Sequence, residues 1–396
     1  MSYNLWLGEP LSLDYELPKI TDLEDRFHHT YIVGKTGMGK STLLEQMAEY
    51  DINYGLATIF IDPKGESVKK LYELTEDKSR IIYISIKSPV IINPLNKDGY
   101  TIDSLIQEFI QILDVLITLS SSNIESTVLM KMIIGYAMRS ITKEENKNIQ
   151  YITSLLLYKD TRKKLVTELV EYTDEHNFWS TFDHKENWQT AESAKRVAAR
   201  LSEISTGEMK DFVVGKNELD ISSIINNKKV VLVDTSRMSR NSRIYLSNLI
   251  VYAVLSYCEY AKNKENPLLC YVDEFQIVVS SFFSELLARS RGSMVGFTLA
   301  HQTFHQIPKN ILSDIFGTVS TTVCFRPGDE EAERFAPIFD VTFKDIYNLP
   351  KYQAYVKLGI DNILIETYPP KITKIPDLEF NQKQSYMFFG DEWINF

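Results

Sequence analysis

The chain has 396 residues, 44% hydrophobic and 24% charged, and its 43 Lys+Arg against 53 Asp+Glu give a formal net charge of −10. That composition excludes a disordered, low-complexity or repeat protein and suits a large α/β domain with an inserted subdomain, or two domains. The acidic balance argues against a protein that coats nucleic acid with its whole surface, while leaving room for basic groups inside a channel.

No apolar run approaches the roughly 20 residues of a membrane span, and the N-terminal text lacks the basic end and apolar core of a signal peptide, so a cytoplasmic protein is expected. Cys258, Cys270 and Cys324 are odd in number and have no metal-ligand spacing. They are expected to be reduced core residues.

Along the chain, short β-rich apolar runs recur at Tyr31 to Val33, Ala57 to Ile61, Ile81 to Ile86, Val230 to Val233, Leu268 to Val272, Val295 to Ala300, Thr321 to Phe325 and Tyr355 to Leu358. Several are apolar throughout, as strands buried on both faces of a mainly parallel sheet must be, and helical text separates many of them. From about Thr101 to about Asp211 apolar residues recur instead at three and four positions with no clear strand, which predicts an all-helical insertion. The expected organisation is therefore 1–100, 101–211 and 212–396, with a polar loop at Lys143 to Asn148 inside the insertion.

The strand text HTYIV runs into GKTGMGKST, a full G-x-x-x-x-G-K-[ST] loop, and then into the helical LLEQMAEY. Gly34, Gly37 and Gly39 permit backbone angles that turn successive amides toward an anion, and the helix start adds partial positive charge, so phosphate is the natural guest. The expected nucleotide-binding set is Gly34, Lys35, Thr36, Gly37, Met38, Gly39, Lys40, Ser41 and Thr42, with ATP as ligand. Lys40 reaches the β and γ phosphates, Ser41 completes the coordination of Mg²⁺, and Thr42 assists near the α phosphate.

Such a loop demands an apolar strand that ends in a metal-holding carboxylate beside an acid able to polarise water. PLLCYVDEFQ supplies it, with Asp273 for the Mg²⁺ shell and Glu274 for the water.

At these residues the chain resembles the FtsK/HerA superfamily of ring-forming translocases, and within it the type IV coupling proteins. The order of blocks HHTYIVGKTGMGKST, FIDPKGE, INPL, KKVVLVDTS, LLCYVDEFQ and LLARSRGSMVGFTLAHQT carries the likeness over nearly the whole chain. The resemblance implies a RecA-like P-loop fold with a mainly parallel central sheet and an inserted all-helical subdomain. It further implies an ATPase that works as a homo-oligomer, a hexameric ring, on DNA.

Gln302 matches the family position that senses the γ phosphate. Arg291 is the first candidate for an arginine that completes the neighbouring subunit's site, with Arg326 and Arg289 in reserve. The resemblance assigns no chemistry to Asp62 to Glu66 or Asn93 to Leu95. The basic text with Lys195, Arg196 and Arg200 reads as the solvated face of an amphipathic helix before it reads as a phosphate contact.

Coupling proteins usually begin with membrane-spanning helices and HerA proteins with a small β-barrel. Neither is legible here, so any membrane attachment is expected to come from a partner of the secretion-system kind. Two other readings stay open: an ATPase that pulls protein, and a nucleotide-gated scaffold.

Overall fold

The computed structural model describes residues 3–11, 19–20, 22–95, 101–120, 128–141, 148–260, 266–279, 283–376, 386–389 and 392–395. Its strands, in chain order, are β1 (Leu5–Trp6), β2 (Glu9–Pro10), β3 (Lys19–Ile20), β4 (Thr30–Val33), β5 (Ala57–Asp62), β6 (Ile81–Ser85), β7 (Val230–Asp234), β8 (Leu268–Val272), β9 (Val295–His301), β10 (Thr321–Phe325), β11 (Gln353–Leu358), β12 (Asp361–Glu366), β13 (Tyr386–Phe389) and β14 (Glu392–Asn395). The chain divides into two units.

The first unit comprises Met1–Ser88, Ile221–Arg237 and Val254–Gln382. It is built on a ten-stranded sheet of order β2-β12-β11-β10-β4-β9-β8-β5-β7-β6. The stretch from β10 to β6 is parallel throughout, and β11, β12 and β2 add an antiparallel edge.

Every residue of the parallel strands is buried, which is why their text is apolar without alternation. By contrast β11 and β12 bury alternate residues only. That weaker pattern explains two departures from the sequence reading: β11 starts two residues earlier than expected, at Gln353, and β12 was not anticipated at all.

Helices α1 (Lys40–Tyr54) and α2 (Glu66–Leu74) follow β4 and β5. Leu43, Leu44, Met47 and Ala48 of α1, and Val68 and Leu71 of α2, share one core with Phe60, Leu232, Tyr271 and Phe325 of the sheet. The three cysteines are free and buried, as the sequence led one to expect.

An ion pair lies inside this unit, with Arg26 2% and Asp51 0% exposed. Arg26 Nη1 is 3.1 Å from Asp51 Oδ2 and donates to the Tyr3 hydroxyl at 2.8 Å, while Nη2 donates to Tyr271 at 2.9 Å and Thr298 at 3.2 Å. Both tyrosines in turn donate to the Asp51 carboxylate. The cluster ties the turn before β4 to α1, β8 and β9.

The second unit comprises Pro89–Asp220, Met238–Ala253 and Lys383–Phe396. Among the described residues between 101 and 213 every regular element is a helix: Ile102–Ser120, Val128–Ser140, Ile149–Leu157, Lys159–Glu168, Asp174–Thr181, Trp188–Ser205 and Lys210–Val213, with two short 3₁₀ turns. Ile133, Ile134, Ile152, Leu155, Ala198 and Leu201 are buried at helical spacing.

The loop expected at Lys143 to Asn148 falls mostly outside the described residues, but Asn148 itself accepts from the Tyr151 amide at 2.8 Å and starts the helix Ile149–Leu157. In the basic helix, Lys195 is exposed, Arg196 lies 3.9 Å from Glu192 and Arg200 3.2 Å from Glu203. No helix among the described residues is long and apolar enough to cross a membrane.

Arg26→Met leaves the Asp51 charge buried without its cation and is expected to cost about 3–5 kcal/mol, whereas Arg26→Met with Asp51→Leu costs clearly less. Urea unfolding of the two variants checks this; equal losses would show that the charge pairing is not what stabilises the cluster.

Candidate nucleotide site

The site follows from strand register. Val33 of β4 pairs with His301 of β9, Leu299 of β9 with Val272 of β8, and Ile61 of β5 with Val272 on its other side. Because these strands are parallel, their carboxyl ends share one edge of the sheet, where Asp62, the last residue of β5, meets the residues that follow the other three strands: Gly34, Gln302 and Asp273.

After β4 the chain turns through Gly34 to Gly39 and enters α1 at Lys40. Gly39 has φ 125°, and a Cβ there would lie 2.9 Å from the Phe325 ring, so only glycine fits. The loop is braced from outside: the Lys35 amide donates to Arg326 O at 2.8 Å and the Tyr352 amide to Met38 O at 2.9 Å. Lys35 also lies over the Tyr347 ring. Lys35, Thr36 and Gly37 are exposed, Met38, Ser41 and Thr42 half-buried, and Gly34, Gly39 and Lys40 buried.

The Lys40 ammonium points back into its own loop, donating to Gly34 O at 2.6 Å and Lys35 O at 3.0 Å. Burial lowers its pKa to about 8, against the pull of Asp273 and Glu274. An anion in the loop would restore the charge partner that these carbonyls only imitate.

Ser41 Oγ donates to Asp273 Oδ2 at 2.9 Å. A hydroxyl and a carboxylate are hard oxygen donors that suit Mg²⁺ when water and phosphate oxygens complete the shell. Burial pushes the Asp273 pKa up, although Lys64 and Ser41 oppose it. Among the described residues no three His, Cys, Asp or Glu side chains converge as a metal site of their own.

Glu274 takes the left-handed conformation, φ 54° and ψ 56°, unusual for a residue with a Cβ. Its Oε1 accepts from Lys64 Nζ at 2.5 Å and Gln302 Nε2 at 2.8 Å, and its Oε2 from Gln276 Nε2 at 2.7 Å. Burial alone would raise its pKa, but these donors outweigh it and hold the carboxyl below its ordinary value. Gln302 Oε1 meanwhile accepts from Thr36 Oγ1 at 2.7 Å, so one amide touches both the glycine loop and the acid after β8.

The arginines divide. Arg291 is exposed in the turn before β9, at the opposite end of that strand from Gln302, a separation of about 20 Å at the usual rise per residue. Arg289 pairs with Glu285 at 2.6 Å and Glu259 at 3.3 Å. Arg326 follows β10 and adjoins the loop of its own chain, its Nε donating to Leu349 O.

Sequence reasoning gave no chemistry to the turn after β5, yet the turn delivers Lys64 to Glu274. Asp62 accepts from the Lys64 amide at 2.8 Å and, in the first turn of α2, from the Ser67 amide at 2.7 Å. Burial and the nearby Asp273 charge raise Asp62 to a pKa of about 6. Gly65 has φ 74°, and a Cβ there would lie 2.4 Å from Asp234 Oδ1. The available signal was a carboxylate at the end of a buried strand followed by a Pro-Lys-Gly turn, at the same sheet edge as the loop.

Sheet, loop and acids together define a RecA-like P-loop α/β protein. Residues 7–254 match the family described as the central domain of helicase HerA, and the chain belongs to that family. Three solved structures share the fold. The unbound monoclinic form of the bacterial conjugative coupling protein TrwBdeltaN70 has a TM-score of 0.64 and 14% identity, covering 89% of this chain and 87% of that one. VirB4 of Thermoanaerobacter pseudethanolicus has a TM-score of 0.65 and 14% identity over 93% and 97%. The plasmid coupling protein TrwB in complex with ADP and Mg²⁺ has a TM-score of 0.58 and 14% identity over 94% and 97%. No curated protein matches the sequence.

Two histidines frame β9. His29 Nδ1 accepts from the Phe297 amide at 3.1 Å and Nε2 bonds Leu287 O at 3.1 Å; His301 bonds Tyr31 and Thr303 O. Burial lowers each pKa from 6.5 to about 4. Between these values the unfolded chain binds protons that the folded one refuses, so stability is present above about pH 6.5 and lost as pH falls toward 4, by about 3 kcal/mol per histidine. Asp62, raised to about 6, shifts stability the opposite way over the same range, so the urea midpoint should fall from pH 7.5 to pH 5 by less than the two histidines alone would give, and His301→Asn should reduce that fall.

Proposed function

We propose that this chain is an ATP-hydrolysing motor that assembles as a ring, a hexamer, and moves DNA. The observation that carries the ATPase reading is Gln302, whose amide oxygen accepts from Thr36 in the glycine loop and whose amide nitrogen donates to Glu274. A side chain joined to both the phosphate cradle and the acid can report the presence of a terminal phosphate to the group that handles water.

In this reading the amides of Gly34 to Thr42 and the Lys40 ammonium hold the triphosphate of ATP. Ser41 and Asp273 hold Mg²⁺, which neutralises phosphate charge when bound. Glu274 orients the attacking water and takes its proton as the oxygen bonds the γ phosphorus and the bond to the ADP oxygen breaks. Arg291, exposed and remote from the site of its own chain, serves the neighbouring subunit. The segment 101–211 is taken as an inserted helical domain, and a cytoplasmic placement belongs to the same reading.

The DNA and ring components draw support from membership of the HerA family and from the likeness to conjugative coupling proteins. The acidic net charge calls for local rather than global contact with phosphates.

Calorimetry with Mg²⁺ and ATP should show binding that Lys40→Ala abolishes. Glu274→Gln should retain binding and lose turnover about 100-fold or more, the scale of a positioned general base. Binding unaffected by Lys40→Ala, or turnover equal in Glu274→Gln and wild type, overturns the ATPase reading. Turnover that duplex and single-stranded DNA leave unchanged overturns the DNA cargo alone.

A further inference from the structure

We propose that Lys64 is a positioning residue for Glu274: through the turn after β5 it fixes the direction in which the acid presents its carboxylate to water. The inference rests on the ATPase reading above, and goes beyond it by giving the DPKG turn a role in the hydrolytic step.

The geometry has two halves. On one side, Glu274 stands outside regular structure in a left-handed conformation, so neither helix nor strand dictates where its side chain goes. Its direction is set by donors instead: the ammonium of Lys64 and the amide of Gln302 on Oε1, and the amide of Gln276 on Oε2. A carboxylate offers about four acceptor positions, so three fixed donors leave roughly one lone pair, on Oε2, for water. Lys64 is the only cation of the three.

On the other side, Lys64 is itself held at its base. Its amide donates to Asp62 at 2.8 Å, and the adjoining Gly65 sits where no side chain fits beside Asp234. The turn thereby converts the end of β5 into a platform for one ammonium group. The Lys64 side chain is 47% exposed and that of Glu274 11%, so solvent screens the pair from the lysine side and its contribution to stability is modest. What it adds is orientation, because a charge-assisted bond is short and directional where a glutamate without fixed donors would sample several rotamers.

A residue that aims the acid without touching nucleotide should change the rate and not the affinity. In steady-state assays of the intact chain with Mg²⁺ and ATP, Lys64→Met is expected to lower kcat about tenfold or more with KM within about twofold, because misdirected general bases lose rate steeply with small displacements. Lys64→Arg, which keeps a donor and a charge, should recover most of that loss. In the Glu274→Gln background, single-turnover hydrolysis should fall by less than about twofold further on adding Lys64→Met, since the acid through which Lys64 acts is already gone. Retained ATP binding by Lys64→Met, measured by calorimetry, certifies its fold.

Wild-type kcat in Lys64→Met overturns the proposal and leaves the ATPase reading intact. A loss confined to KM, or an equal loss with and without Glu274, also overturns it, by showing that Lys64 meets the nucleotide directly. A wild-type chain that binds ATP without hydrolysing it brings down both, and is distinguished by the wild type alone.

Discussion

Everything at the site depends on the backbone ladder that holds β4, β9, β8 and β5 side by side in parallel. Hydrogen-bonded pairing sets these strands about 4.8 Å apart, and a shared direction puts all their carboxyl ends on one edge. A glycine loop, a glutamine and two acidic turns that are far apart in sequence thereby become neighbours. A shift of one residue would turn every side chain of a strand to the other face, and because both faces are buried such a slip would also disrupt the packing. The register that stabilises the core is thus the register that aligns the chemistry.

The second constraint is charge. Asp62, Asp273, Glu274 and Asp234 crowd one sheet edge, and the ammonium groups of Lys40 and Lys64 lie beside them. Burial raises Asp62 and Asp273, whereas the three donors around Glu274 bring it down. Neighbouring acids are thereby pushed in opposite directions, and separation of that kind is what allows adjacent carboxyl groups to take different tasks. Lys40, held by carbonyl oxygens alone, gains most from an arriving anion.

Away from this edge, the molecule spends buried polarity on anchoring. The Arg26–Asp51 cluster joins the turn before β4 to α1 and two strands, and His29 joins the same turn to β9 and to the helix Phe283–Ser290. Both secure the entrance to β4, the strand that delivers the glycine loop. If the loop grips a triphosphate as proposed, a rigid support settles its orientation before the ligand arrives.

The glycine loop, the acids Asp273 and Glu274 just after β8, and the seven parallel strands were legible in the sequence because each is a local pattern: glycines and a lysine at fixed offsets, or apolar runs buried on both faces. The family likeness added Gln302, which a lone glutamine at a strand end would not have suggested. β12 escaped notice because half of its residues face outward and its partner is a neighbour at the sheet's edge. Lys64 escaped for a different reason: its partner lies 210 positions away, and nothing in the text Asp62-Pro63-Lys64-Gly65 names it. The motif text decides which groups are available. Which of them meet, which arginine stays remote and how many donors surround Glu274 are set by strand order and register, which are long-range pairings that no window of sequence contains.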